Sequence, residues 1–497
     1  MPAALQSKLP LPESFEAGYL EFNGVLPLEL NGGRLRVAVA GEPAIEVLDD
    51  LEVSYGLPLD VVHVSPDELN DGVRRAFAAA ESVVELVRDL GAATGPAGDA
   101  LDSAPADARD LANQPPVIRF VNLLVREAHA AEASDIHLES HRDGLRARFR
   151  IDGVLQDVPS PPRGLEAAVV SRIKLLAELD IAERRAPQDG RIRIRLEERE
   201  LDLRVSTVPT LYGESVVLRL LDRGGRPVAL EDLGMDAEVL ETFRRLAERP
   251  HGILLATGPT GSGKTTTLYA AMGLRRATAE KIVTVEDPVE YHLGGVTQVP
   301  INTKAGMTFG SALRSILRQD PDVLMVGEMR DRETAQIAVQ ASMTGHLVFS
   351  TLHTNDAASA VARLVDLGIE PYMIAAALEG VLAQRLVRRV CPDCRERYRP
   401  DPQLVALLAL EPVGRVTLMR GRGCQTCRDT GYRGRTGIFE LLALTEPLKR
   451  AILDGVGTAE LRERASAEGM TTLRGDGWRK VRAGITTLEE VLRVVES

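Results

Sequence analysis

The sequence predicts an α/β chain built on a mostly parallel sheet, and two observations carry that expectation. From about residue 233 onward, short apolar strands alternate with amphipathic helices: "GILLATG", "TTLYAAMGLRR", "KIVTVED", "SALRSILRQ", "VLMVGE", "TAQIAVQASM", "HLVFSTL". Segments alternating in this way pack as a sheet of parallel strands covered by helices. Between the first of these strands and the first helix lies "GPTGSGKTTT", residues 258–267, where three glycines precede a lysine and a row of threonines. A glycine-rich turn in that setting lets backbone N–H groups and a helix N-terminus approach phosphate.

At 497 residues the chain is too long for one core and divides into about three domains on a prior of ~150 residues each. Hydrophobic residues at 44% and charged residues at 27% are those of a globular protein, which excludes a disordered or fibrous chain. No run approaches the ~18 apolar residues of a membrane-spanning helix, and the opening residues lack the apolar core of a signal peptide. The expectation is a cytoplasmic protein. A net charge of −12 repels nucleic acid and anionic lipid, so membrane contact is expected to be indirect, through a protein partner.

Taken in order, residues 1–88 read as a small α+β domain: a strand at "RLRVAVA", a helix near "AIEVLDDLEVSYG", a strand at "DVVHV", and a helix begun by Ser65, Pro66 and Glu68 as a capping box. Residues 89–116 lose large apolar residues to Gly, Pro, Ala and Asp and read as a flexible linker. The second domain, 117–222, opens with a helix whose apolar positions Val117, Phe120, Val121, Leu124, Val125 and Ala128 share one face. In "LRARFRID", Leu145, Ala147, Phe149 and Ile151 alternate with Arg146, Arg148 and Arg150; "RIRIRLEERELDLRV" reads as a hairpin with Arg191, Arg193, Arg195 and Arg204 outward. An antiparallel sheet with an arginine face follows. Most of these arginines are expected to be solvated, and one or two to reach a phosphate. A short linker, 223–232, leads to the α/β core at 233–388, a tetracysteine element at 389–436 and a helical region at 437–497.

Within the core, Gly258, Pro259, Thr260, Gly261, Ser262 and Gly263 form the phosphate loop; Lys264 is placed to reach the β and γ oxygens, Thr265 to bring its hydroxyl to magnesium, and Thr266 continues into the helix. ATP and Mg²⁺ are the implied cofactors. The apolar strand Val323–Val326 delivers Glu328, the expected water-orienting base, and Gly327 stands where an aspartate often binds magnesium. Glu286, Asp287 and Glu290 of "TVEDPVEY" supply other carboxylates. Arg318 of "RQDPD" is placed to face a γ-phosphate, and Asp320–Pro321 ends its helix. His346 and His353 bracket a short strand, with His353 the candidate γ-phosphate sensor. Cys391/Cys394 and Cys424/Cys427 form two Cys-x2-Cys pairs, a spacing suited to a closed four-thiolate structural zinc and not to a redox motif.

Together, "GPTGSGKTTT", "VEDPVEY", "LRQDPDVLMVGEMRD" and "TGHLVFSTLHTNDA", followed by paired Cys-x-x-Cys, resemble the type II secretion and type IV pilus assembly ATPases over roughly residues 117–497. That resemblance implies a RecA-like P-loop ATPase core, a preceding PAS-like α+β domain, and a homohexamer on the cytoplasmic face of the inner membrane. It implies that Arg204 and Arg219 approach the nucleotide from the second domain, that Arg314 and Arg318 are family arginines, that Glu286 and Asp287 form an Asp box, and that His346 and His353 form a His box. It also makes the glycine at position 327 a family trait. By the same resemblance the first domain docks on a single-span inner-membrane secretion protein, and a polytopic platform protein contacts the ring. The short first domain, without cyclic-dinucleotide repeats, favours secretion over pilus extension. The rival readings are a RecA-class nucleic-acid motor, disfavoured by net acidity and few aromatics, and an ATP-binding regulator in which Glu328 is idle.

Overall fold

The computed structural model describes residues 20, 23–31, 34–41, 43, 45–66, 68–70, 72–73, 86–87 and 111–495, apart from 197–198, 223–227, 276–277 and 409–415. Most of the expected linker therefore lies outside the described residues. Two units are distinguished, one of residues 1–127 and 159–172, the other of 128–158 and 173–497. Among the described residues no helix is long and apolar enough to cross a membrane.

In the first unit, β1 (Val25–Asn31) pairs antiparallel with β2 (Arg34–Val39), which runs parallel to β3 (Leu59–His63) after the crossover helix α1 (Ile45–Tyr55). Val25, Leu26, Leu35, Val37, Val39, Leu51 and Leu69 bury its core. Ser65 and Glu68 exchange the two bonds of a capping box: Glu68 N–H donates to Ser65 Oγ at 3.3 Å and Ser65 N–H to Glu68 Oε2 at 3.0 Å. Strand β1 escapes a reading by alternation because Pro27 interrupts it and its register slips between Pro27 and Glu29. Helix α2 (Pro115–Ala130) begins on two prolines, suited to a first turn whose N–H groups have no helical acceptor, and buries the face of Val117, Phe120, Val121, Leu124, Val125 and Ala128.

The second unit contains an antiparallel sheet of six strands: β4 (Asp135–His141), β5 (Gly144–Ile151), β6 (Val154–Val158), β7 (Gln188–Leu196), β8 (Arg199–Thr210) and β9 (Gly213–Asp222), in the order β6-β5-β4-β9-β8-β7. Leu145, Ala147 and Phe149 are buried, while Arg146 forks onto Asp157 at 2.7 and 2.9 Å and Arg148 reaches both Glu139 oxygens through Nη2 alone, at 2.5 and 2.7 Å. Those two arginines are thus paired with neighbouring strands. Lys174, in α3 (Glu166–Leu176), is fully buried; it donates to Glu183 O at 2.6 Å and pairs with the Glu214 carboxylate.

A seven-stranded sheet follows, from β10 (Gly252–Thr257), β11 (Ile282–Glu286), β12 (Thr297–Pro300), β13 (Val323–Val326), β14 (Leu347–Leu352), β15 (Leu378–Val390) and, after two short strands β16 (Arg395–Tyr398) and β17 (Leu418–Gly421), β18 (Tyr432–Ala443). The order is β12-β11-β13-β14-β10-β15-β18, parallel throughout except for β18 at one edge. Every residue of β10, β11, β13 and β14 is buried, as strands covered on both faces require. Ile253 and Leu255 enter one apolar layer, Leu254 and Ala256 the other. Helices α4 (Ala237–Ala247), α5 (Lys264–Met272), α6 (Phe309–Ile316), α7 (Arg332–Met343), α8 (Ala357–Asp366) and α9 (Pro371–Ala377) connect the strands.

Strands β15 and β18 form a long antiparallel pair, and the cysteine element, with β16, α10 (Pro402–Leu408) and β17, is inserted at its far end, just beyond the Val390–Tyr432 pairing. The buried Glu440 accepts N–H groups of Ala357 at 2.9 Å and Leu473 at 3.2 Å, which pins the starts of α8 and α13 (Leu473–Arg482) to β18; α11 (Glu446–Leu453), α12 (Thr458–Ala467) and α14 (Leu488–Val495) complete the unit.

Candidate functional site

The phosphate loop leaves the carboxyl end of β10, where open parallel sheets place their ligands. Gly258, Gly261 and Gly263 adopt φ of 146°, 77° and 88°, a region costly to side chains. A Cβ on Gly258 would fall 2.5 Å from Gln384 O, so the loop packs against β15 through its glycine. Lys264, only 8% exposed, donates Nζ to Gly258 O at 2.8 Å and Pro259 O at 2.9 Å. Burial draws its ammonium down to about 8, with the Glu328 carboxylate opposing the shift and Arg385 adding to it. Ser262 Oγ is buried without a partner. A lysine held on the Gly258 and Pro259 carbonyls, beside an orphaned hydroxyl, fits a loop that takes phosphate oxygens. Pro259, Thr260 and Gly261 are exposed at its tip, and Thr265 and Thr266 are half-buried at the start of α5.

Glu328 reaches the same edge from β13. Its side chain, 13% exposed, is gripped by Arg330 Nε at 2.6 Å and lies 3.4 Å from His353 Nε2. His353 follows β14, whose register with β10 (Thr257 opposite Leu352) brings it to the loop's edge of the sheet. Thr257 Oγ1 and Thr354 Oγ1, 2.7 Å apart, tie the two strand ends together. His346 begins the same strand, roughly 20 Å away along it; its Nδ1 contacts Ala341 O at 2.9 Å, so it belongs to the opposite edge.

The remaining candidates are dispersed. Glu286 is 2% exposed and saturated: Tyr269 OH donates to it, as do Thr284 Oγ1 at 2.5 Å and Gln298 Nε2 at 3.2 Å. Asp287 is exposed in the turn that follows. Arg314 pairs across to Glu333 of α7 at 2.5 Å, and Arg318 folds back onto its own helical segment, to Arg314 O at 3.0 Å. Arg204 donates Nη2 to Val289 O at 3.4 Å, and Arg219 Nε donates to Asp135 at 2.9 Å. Burial lowers the Arg204 guanidinium below its usual range and raises the Glu290 carboxyl above its own.

Gly327 stands close to its neighbours. A Cβ there would stand 3.3 Å from Val285 O and 3.5 Å from both Glu286 Cα and a Phe309 ring carbon. Inserting the usual aspartate, Gly327→Asp, is therefore expected to destabilise the protein by about 1–3 kcal/mol and to lower ATPase activity. Thermal melts and steady-state rates check this; a stable, faster enzyme would show that the place can hold a metal ligand.

The four cysteines converge. Their sulfurs all lie within 4.8 Å of one another, with Cys391–Cys424 at 3.9 Å, Cys394–Cys427 at 3.8 Å and Cys424–Cys427 at 3.7 Å, and none forms a disulfide. Tetrahedral zinc with Zn–S near 2.3 Å sets its sulfurs about 3.8 Å apart. Burial raises the Cys394 thiol to about 12, whereas Cys427, against the same burial, is drawn down to about 7 by N–H groups of Cys424 and Gly431, each 3.2 Å from its sulfur. The cluster fits a metal held by thiolates.

Sequence reading missed Gln384 and Arg385. Gln384 accepts from Thr267 Oγ1 at 2.7 Å and backs the phosphate loop; Arg385 donates to Asn355 Oδ1 at 3.1 Å and Val494 O at 3.3 Å. The signal was a glutamine and an arginine in the otherwise apolar "LEGVLAQRLV".

A buried parallel strand, a phosphate loop with its lysine, and a carboxylate from a neighbouring strand define a P-loop nucleotide hydrolase. A family model described as "Type II/IV secretion system protein" matches residues 110–493, and an MshEN domain model matches residues 2–83. Type II secretion system protein E of Pseudomonas aeruginosa is 53% identical over 388 residues, which are 78% of this chain and 77% of that protein. Type II secretion system ATPase E of Vibrio cholerae is 51% identical over 390 residues, with the same two shares. Among solved structures, the Legionella pneumophila ATPase DotB superposes with a TM-score of 0.56 at 19% identity, covering 76% of this chain and 95% of DotB. The pilus retraction motor PilT with bound ADP gives 0.51 at 26%, covering 75% and 95%. The chain belongs to the type II/IV secretion system protein family, and it is an ATP hydrolase.

Proposed function

We propose that the chain is the motor of a type II secretion system, a six-membered ring on the cytoplasmic face of the inner membrane that couples ATP hydrolysis to pseudopilus assembly and protein export. The observation that carries this reading is the gathering of Lys264, Glu328 and His353 at one sheet edge in a chain about half identical to proteins named type II secretion system protein E. In it, residues 258–266 hold the triphosphate, Thr265 and the Asp287 turn serve magnesium, Glu328 orients water, and Arg204 and Arg219 complete the site across domains or subunits. Arg314 and Arg318, exposed, face a neighbouring subunit. Zinc fills the cysteine cluster, residues 1–88 dock on a single-span membrane protein, and a polytopic platform protein contacts the ring. The second reading is the same engine driving pilus extension, since the resemblance spans secretion and pilus assembly ATPases alike.

Sedimentation of the full chain with magnesium and a non-hydrolysable ATP analogue tests the ring. Six-chain particles are expected, with activity per chain rising as protein concentration rises. A monomer of constant specific activity would overturn the shared site.

A further inference from the structure

Three arginines from three neighbouring strands stand side by side on the six-stranded sheet: Arg191 of β7 is opposite Arg204 of β8, and Arg204 is opposite Arg219 of β9. Like charges directly opposite one another on adjacent strands repel and cost stability. Their compensation falls away along the row. Arg219 has Asp135 at 2.9 Å. Arg204 has the Glu290 carboxylate acting on it and a bond to Val289 O, but its Nε is buried without a partner. Arg191 is exposed and, among the described residues, makes no side-chain hydrogen bond or ion pair.

The row forms one wall of a groove of about 700 Å³ whose opposite wall is the Asp287–Pro288 turn. At strand spacings of about 4.8 Å, three guanidinium forks span about 10 Å, too long for a single phosphate and suited to a chain of them. Asp189 and Asp287 also line the groove, and their carboxylates repel a continuous nucleic-acid backbone.

We propose that this row binds the polyphosphate of the nucleotide and that Arg191 is a third phosphate-binding arginine beside Arg204 and Arg219. The proposal rests on the reading of Arg204 and Arg219 given above and extends it to Arg191, which the strand register sets directly beside Arg204. It explains why three like charges are kept in register: the repulsion is relieved when phosphate enters.

The sign of the effect on stability separates this role from a structural one. Arg191→Gln removes a repelling charge from an exposed position, so the nucleotide-free protein is expected to melt at an unchanged or higher temperature. The rise in melting temperature conferred by a magnesium-bound, non-hydrolysable ATP analogue shrinks, affinity for that analogue falls roughly tenfold, and affinity for ADP falls less. Arg191→Lys recovers only part, because an ammonium offers no fork. Arg204→Gln is measured alongside. Analogue binding unchanged in Arg191→Gln but weakened in Arg204→Gln would overturn the role of Arg191 and leave the two-arginine reading standing. Unchanged binding in both would overturn the row as a phosphate site altogether.

Discussion

Glu328→Gln is expected to lower ATP turnover about a thousandfold while leaving affinity for a non-hydrolysable ATP analogue within about twofold. The carboxylate stands at the carboxyl end of β13, close enough to Lys264 to oppose the lowering of its pKa, and it is held from two sides by Arg330 and His353. Glutamine keeps the shape and still fills the space, but it takes no proton from water and carries no charge to orient against the lysine. Binding survives because the loop's glycines, Lys264 and Thr265 do not depend on that charge for their backbone geometry. Phosphate-release kinetics beside equilibrium titration would decide it. Retained turnover would remove Glu328 from the chemistry and revive an ATP-binding regulator.

Loss of the metal is expected to have the largest effect on structure. The purified chain should carry one zinc, and Cys391→Ser or Cys427→Ser should lose it, together with most of the ~10 kcal/mol or more that a four-thiolate site contributes to local folding. The damage is confined by topology. The cysteines form their own small cluster at the far end of the β15–β18 pair, and the inserted element joins one of the apolar layers around the sheet through Val405 and Leu418. Limited proteolysis should therefore cut between residues 391 and 431 while nucleotide binding persists. Because the ligands must be thiolates, zinc occupancy should also fall as pH is lowered. A metal-free protein with the same protease resistance and the same melting temperature would show that packing, not metal, shapes the element.

The candidate site was legible in the sequence to different depths. The phosphate loop was plain because its chemistry is local: glycines that tolerate positive φ, a lysine at fixed spacing, a strand before and a helix after. The cysteines were plain because thiolates in pairs have few other uses in such spacing. The two histidines were read alike as ends of one strand, yet the parallel register puts His353 beside Glu328 and His346 at the other edge. Glu286 read as an open carboxylate, and the structure closes it inside a ring of Tyr269, Thr284 and Gln298 donors. Arg318 reads as phosphate-facing and Arg314 as a family arginine beside it; the structure turns Arg318 back onto its own helical segment and Arg314 onto Glu333. Where a long side chain points depends on partners that lie far off in the chain.

By itself the sequence determined the α/β layer, the phosphate loop, the arginine face and the thiolate cluster, since each rests on periodicity, backbone freedom or ligand spacing within a few residues or between repeated motifs. Only the tertiary structure decided that Gly327 lies close against the β11 backbone, that Gln384 backs the loop, and that Arg191, Arg204 and Arg219 form a row. Those facts follow from register between strands distant in sequence, where a shift of one residue would turn each side chain to the opposite face.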